Sequence, residues 1–201
     1  MTEIRVAGDE DVSALTGVLS RAFDADPVIN WVLRQDAGRP AAFEWMFKLS
    51  LALTLPHGNV YTTADRNAAA LWAPPGKWRW RAGWFRQLQQ APGFVRAVGL
   101  RRMPRVLPAV SALEARHPRL PHFYLFQLAV DPTQQGRGIG SALLRHTLEA
   151  CDRDGHPAYL ENSNPGNGPL YERHGFTVLE RHRIGGDGPP LWLMWREPGA
   201  G

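Results

Sequence analysis

The run Gln135-Gly136-Arg137-Gly138-Ile139-Gly140-Ser141 has the residue types of an anion cradle. A strand-like apolar segment ending Leu128-Ala129-Val130-Asp131-Pro132 leads into it. A helical pattern through Leu143, Leu144, Leu148 and Cys151 leads out. Glycine lets the backbone come close to a phosphate, and the first helical turn leaves N–H groups pointing at it. Spacing excludes two nucleotide-binding patterns. A nucleotide-hydrolase phosphate loop needs Gly-Lys-Ser/Thr at its end, and no lysine stands here. A dinucleotide fingerprint needs Gly-x-Gly-x-x-Gly near a first strand, whereas this spacing is Gly136-x-Gly138-x-Gly140, late in the chain. A glycine-rich strand-to-helix turn with no ligand would show the same local pattern.

A second constellation follows, Tyr159-Leu160-Glu161-Asn162-Ser163-Asn164-Pro165-Gly166-Asn167-Gly168-Pro169-Leu170-Tyr171-Glu172-Arg173-His174-Gly175-Phe176. It predicts a short strand, a polar turn, a short helix stopped by Gly175 and a new strand from Phe176. Tyr171 sits one turn before the glycine stop, where its side chain can project into a cleft between strands. The pairing of Gln135-x-x-Gly138-x-Gly140 with Asn167-x-x-x-Tyr171-x-x-x-Gly175-Phe176 resembles the two C-terminal motifs of the GNAT superfamily of N-acetyltransferases. Within it, the wording from Leu160 to Phe176 is most similar to puromycin N-acetyltransferase-like antibiotic-resistance members. The specific resemblance covers Phe123 to Phe176.

The resemblance implies acetyl-CoA as co-substrate, held by Leu128, Ala129 and Val130 at the pantetheine arm and by Gln135 to Ser141 at the pyrophosphate, with Arg137 adding charge. Asn164 and Asn167 fall at spacings that superfamily members use for CoA contacts, and the puromycin-type wording favours Asn167. It also implies that Tyr171 protonates the leaving thiolate, a role suited to a phenol whose pKa of ~10 keeps it protonated at neutral pH. An alkyl ammonium, with a pKa of ~10, must lose a proton before it attacks a thioester. Glu161, at a strand end beside the cleft, is the candidate base, with Asp26 or water as alternatives. Asp24 and Asp26, after the first helix, stand where relatives place acceptor contacts, although turn residues that end a helix have the same composition. Trp78, among alternating tryptophan and arginine, is the candidate aromatic wall for an amine.

The expected function is direct acetyl transfer to a primary amine of a small molecule. A protein N-terminus or lysine is the alternative acceptor, and a non-enzymatic acyl-CoA sensor the alternative class. An enclosed aromatic pocket would favour a small molecule; an open groove lined with carboxylates would favour a protein. Metal chemistry is not expected, because the histidines are scattered and no Cys/His cluster exists. His57 and His122 stand alone in sequence and read as structural.

Composition fits this reading. The 201 residues suit one domain, 1–201, with one cysteine and therefore no internal disulfide. Cys151 falls at a core spacing and is a poor nucleophile candidate. Net charge is +4, and only Lys48 and Lys77 are lysines among the 23 basic residues, so the basic excess is arginine. A GC-rich coding genome fits that bias at least as well as any ligand, and an anionic co-substrate would also gain from it, so nucleic acid is not required. No signal peptide or membrane span is expected, and a cytoplasmic address is the default expectation, as a monomer or homodimer.

The positioning elements are a mixed α/β set. Glu3 to Ala7 suits a strand, and Asp9 a helix cap, before an apolar face at Val12, Leu15, Val18, Leu19, Ala22 and Phe23. Helices are predicted near 28–34 and 41–55, and strands at 59–63, 68–73, 122–130, 176–182 and 191–196, with 122–130 buried on both faces. The stretch of about 77–121 reads as a helical Trp/Arg-rich insertion with breaks at Pro92, Pro104 and Pro108. A mixed, splayed central sheet flanked by helices is what the resemblance adds.

Overall fold

The computed structural model describes residues 2–77 and 84–200, with the backbone alone over 84–90. In chain order the elements are β1 (Ile4–Val6), α1 (Val12–Ala22), α2 (Pro27–Val32), α3 (Arg39–Thr54), β2 (Val60–Thr63), β3 (Ala68–Ala73), α4 (Trp84–Val98), α5 (Met103–Arg116), β4 (Phe123–Val130), α6 (Ile139–Asp154), β5 (Ala158–Asn162), α7 (Gly168–Glu172), β6 (Thr177–Arg183) and β7 (Pro190–Arg196). Among the described residues, seven strands form one sheet in the order β1-β2-β3-β4-β5-β7-β6. All pairs are antiparallel except β4 with β5.

The strand period of two divides the core. Ala69 and Leu71 of β3 pack on the α1 and α3 side with Leu15, Leu19, Phe47 and Leu51. Ala68, Ala70 and Trp72 face the other way and meet Leu143, Leu144 and Leu148 of α6. Burying both faces explains why β3 carries no charged residue.

The sheet opens at one place. Parallel pairing of β4 with β5 runs from Phe123↔Ala158 to Leu125↔Leu160 and stops. Next to it the β3–β4 register slips, Leu71 facing Gln127 and Trp72 facing Leu125, so Phe126 is an extra residue in β4. Such a bulge bends its strand and re-aims side chains. Beyond it Phe126, Leu128 and Val130 are only half-buried. Burial on both faces, expected for all of β4, therefore holds only for its first part, because its neighbour has left.

Three local expectations are corrected. Asp9 opens a 3-10 turn, and the N-cap of α1 is Asp11, whose carboxylate is turned back onto Arg5, the Gly8 amide and Arg66. Pro92 and Pro108 lie inside α4 and α5, and Pro104 sits in the first turn of α5, where a missing N–H costs nothing. Packing against the rest of the protein outweighs the two interior breaks. Arg102 donates to the carbonyls of Asn30, Trp31 and Leu33, and the Arg105 guanidinium lies 4.7 Å above the Trp31 ring. Arginine of this segment thus satisfies the C-terminal end of α2.

Candidate active site

Where β4 and β5 part, a cleft of about 550 Å3 forms, lined by Leu128, Val130, Gly136, Gly138 to Ser141, Asn164, Asn167 and Tyr171 among others. Gly136 and Gly138 both have φ of 77°, which an L side chain rarely adopts, and a Cβ at either would meet no atom within 4 Å. Glycine is needed there for the backbone, not for room. Gly140 differs: its backbone is helical, and a Cβ would stand 3.7 Å from Val130. As N-cap of α6, Gly138 has no side chain to cap the helix, so the first-turn amides remain available to an anion beside the cleft.

The loop is braced from below. Gln135 donates from Nε2 to the Val130 carbonyl at 3.1 Å. The Asp131 carboxylate accepts from the Thr133 hydroxyl and amide and from Arg21, and these partners hold its pKa near about 2. Ser141 Oγ lies 2.7 Å from His174 Nε2, tying the loop to the end of α7.

Tyr171, on α7, is buried edge-on to Phe176 with ring centroids 6.1 Å apart. Burial, and then the nearby charge of Asp26, push its phenol above the ordinary value, so it stays protonated. Asp26 is itself buried. It is the N-cap of α2, accepting from the Ile29 amide at 2.8 Å and from the Ser163 hydroxyl. Burial raises its pKa while these bonds oppose the rise.

Glu161 leaves β5 just past the parting point. Its carboxylate accepts from Tyr159 and Tyr124, each at 3.2 Å. Burial raises both phenols, so both remain donors. On the far side of Glu161 a second, half-open cavity of about 820 Å3 is bordered by α2, α3, α4, α5 and β4, with Ile29, Leu33, Trp45, Met46, Phe94 and Leu113 in its wall. Phe23, Asp26, Phe126, Gln127, Glu161 and Ser163 line both cavities. Gln127 Oε1 is buried there without a hydrogen-bond partner.

Residues 93–178 match the family model described as acetyltransferase (GNAT) domain. An uncharacterised N-acetyltransferase of Schizosaccharomyces pombe is 28% identical over 161 residues, 76% of this chain. The match spans 65% of that relative, less than two thirds of its length. A structure described as a histone acetyltransferase and related acetyltransferase from Corynebacterium glutamicum superposes with a TM-score of 0.74 at 25% identity, covering 99% of this chain and 98% of that one. Drosophila melanogaster polyamine N-acetyltransferase shares the fold, with a TM-score of 0.67 at 15% identity, covering 98% and 100%.

Residues 93–178 are similar to a GNAT acetyltransferase domain, and the chain has a GNAT-like fold.

The splayed sheet brings together most of the residues singled out from sequence. Leu128, Val130, Gln135, Gly136, Gly138, Ile139, Gly140, Ser141, Glu161, Asn164, Asn167, Tyr171 and Asp26 all line one cleft. Ala129 does not: it points into the core beside α1. Arg137 is exposed outside the lining, whereas Arg173 is in it. Asp24 lies outside both cavities, paired with Arg39 at 2.6 Å. Trp78 falls outside the described residues. Asn164 also closes its own turn, accepting from the Gly166 amide.

Sequence reasoning missed Gln127, Ser163, Tyr124 and His117. Gln127 had a signal, the lone polar residue in Phe123-Tyr124-Leu125-Phe126-Gln127-Leu128-Ala129-Val130. Reading His122 as isolated is also corrected: it stands 3.1 Å from His117 and packs on Tyr159 and Trp195. Among the described residues no group of three or more His, Cys, Asp or Glu could hold a metal, and no helix is long and apolar enough to cross a membrane.

Proposed function

We propose that this domain transfers acetyl from acetyl-CoA directly to a primary amine of a small molecule. The observation that carries the proposal is the meeting of two cavities at Glu161, Gln127 and Asp26, with Tyr171 on one side. The glycine-loop side fits the donor. Left-handed Gly136 and Gly138 and the α6 amides would take the pyrophosphate, and the freed edge of β4 the pantetheine arm. The other side is a wide, half-open cavity with a largely apolar lining, which fits an amine on an apolar body.

The chemistry then divides between the two sides. Glu161 takes one proton from the ammonium, directly or through water, and the free amine attacks the thioester carbonyl. Gln127 Oε1 accepts an N–H of the amine and so orients its lone pair. As the C–S bond breaks, Tyr171 gives its proton to the thiolate and regains one from the amine nitrogen. A covalent acyl-enzyme is not needed. Cys151 is buried, and burial pushes its thiol up to about 12.

The Drosophila neighbour forms N-acetylagmatine, which places small amines first among acceptors to test. The wording from Leu160 to Phe176 adds aminonucleosides of puromycin type. The test is CoA thiol release from acetyl-CoA against arylalkyl amines, aminonucleosides, polyamines and N-terminal peptides. Release above background hydrolysis with a small amine is expected. Release with none of them, or with peptides alone, refutes the proposal.

A further inference from the structure

Glu161 is one end of a chain of polar groups that the transfer chemistry leaves unused. His117, just past α5, stands with Nδ1 3.9 Å from Glu161 Oε1, and its Nε2 lies 3.1 Å from His122 Nε2. His122 Nδ1 in turn lies 2.6 Å from the carbonyl oxygen of Leu120.

These contacts fix where the protons sit. A carbonyl oxygen only accepts, so His122 carries its proton on Nδ1. Burial against Tyr159 and Trp195 lowers the pKa of His122 and keeps the ring neutral. Its Nε2 is therefore a bare acceptor, and His117 must donate to it from Nε2. In a neutral His117 ring that leaves Nδ1, the atom facing Glu161, without a proton.

We propose that His117, its tautomer locked by His122 and the Leu120 carbonyl, receives from Glu161 the proton that the acceptor ammonium gives up. The inference rests on Glu161 acting as the base. The ammonium N–H bond breaks to the Glu161 carboxylate, the resulting O–H passes its proton to His117 Nδ1, and an imidazolium–carboxylate pair remains. His117 then releases the proton to water. The amine loses two protons in all; one leaves on CoA through Tyr171 and the other by this path, so each turnover releases one proton. The 3.9 Å gap closes to a hydrogen bond with a side-chain shift of about 1 Å.

The setting favours transfer. His117 lines the acceptor chamber together with Glu114, Arg119 and Glu161. The rings of Tyr124 and Tyr159 stand edge-on to it at 4.8 and 5.0 Å, and burial holds both phenols neutral. Arg116 is turned away to Glu180, and His182 faces Glu180 as well. The imidazolium formed at His117 would face the Glu161 carboxylate 3.9 Å away. His117 is a positioning residue for the base, since it acts through Glu161.

The decisive variant is His117→Gln, whose amide can still donate to His122 while offering no base. With the best amine found, kcat near pH 7 should fall about tenfold and recover with added imidazole, while KM for acetyl-CoA stays unchanged. An unchanged kcat, or a loss that no buffer base restores, overturns the relay. Histidine 15N spectra of the full chain test the lock without turnover: protons on His122 Nδ1 and His117 Nε2 are expected. A proton on His117 Nδ1 near pH 8 refutes it. A wild type that releases no thiol with any amine defeats the transfer reading itself, and the spectra separate that failure from failure of the relay.

Discussion

The Ser163 hydroxyl donates to the Asp26 carboxylate, joining residues 137 positions apart in the chain at the meeting point of the two cavities. One partner caps α2 and the other follows β5, so the contact ties α2 to the strand that carries Glu161. Asp26 does two separable things there: it caps a helix, and its charge raises the phenol of Tyr171.

Substitution separates them. Asparagine caps a helix about as well as aspartate, so Asp26→Asn should change stability little, whereas Asp26→Ala should cost about 1 kcal/mol. Both remove the charge, so the Tyr171 pKa should fall in both. Urea unfolding and ultraviolet titration of the phenols check the two effects. Equal destabilisation by both substitutions would show that the cap is not what Asp26 contributes.

The three glycines of the loop should differ. Gly138→Ala forces a Cβ onto a residue with φ of 77° at a cost of about 1–2 kcal/mol, weakening CoA binding about tenfold. Gly140→Ala has room and a helical backbone and should bind CoA within about twofold of wild type. Calorimetric titration with CoA measures both. A larger loss at Gly140 than at Gly138 would contradict the backbone argument.

Tyr171→Phe keeps the ring against Phe176 and removes the proton donor. It should lower kcat about 100-fold with little change in KM for acetyl-CoA. An acid works while protonated, and the folded pKa lies above the ordinary ~10, so wild-type activity should show no loss from this group up to about pH 10. A descending limb near neutral pH that vanishes in Tyr171→Phe would instead mean a depressed pKa.

Acid should destabilise the fold in a defined window. Arg5 first, then the Gly8 amide and Arg66, lower the pKa of Asp11, and Arg196 lowers that of Asp152. Asp131 is held at about 2 by Thr133 first and Arg21 after it. Folded pKa values below the unfolded value of ~4 give stability that is present above about pH 4 and lost as pH falls toward about 2. The urea midpoint should drop across that window, less steeply in Asp11→Asn. A midpoint constant from pH 6 to about pH 2 would refute it.

Several elements could be read directly from the residues. The alternation and apolar runs placed β3 and β4 within a residue, the glycine loop marked the start of α6, and Gly175 marked the end of α7. Those signals are local: period, turn residue, helix stop. Asp26 shows the limit. Before Pro27 it reads equally as the end of one helix or the start of the next, and only the Ile29 amide and Ser163 make it a cap for α2. His117 and His122 carried no signal at all, because five positions apart in a non-helical segment implies no contact.

The sequence by itself supplied the residues of the proposed donor side. Left-handed glycines, free helix amides and a tyrosine one turn before a glycine stop are consequences of local backbone chemistry, written within Phe123 to Phe176. The proposed acceptor side takes shape only in the tertiary structure. It depends on where β4 bulges at Phe126 and β5 departs after Leu160, and on helices from the first half of the chain closing over that gap. Contacts of that kind join residues distant in sequence, and no local period or spacing encodes them.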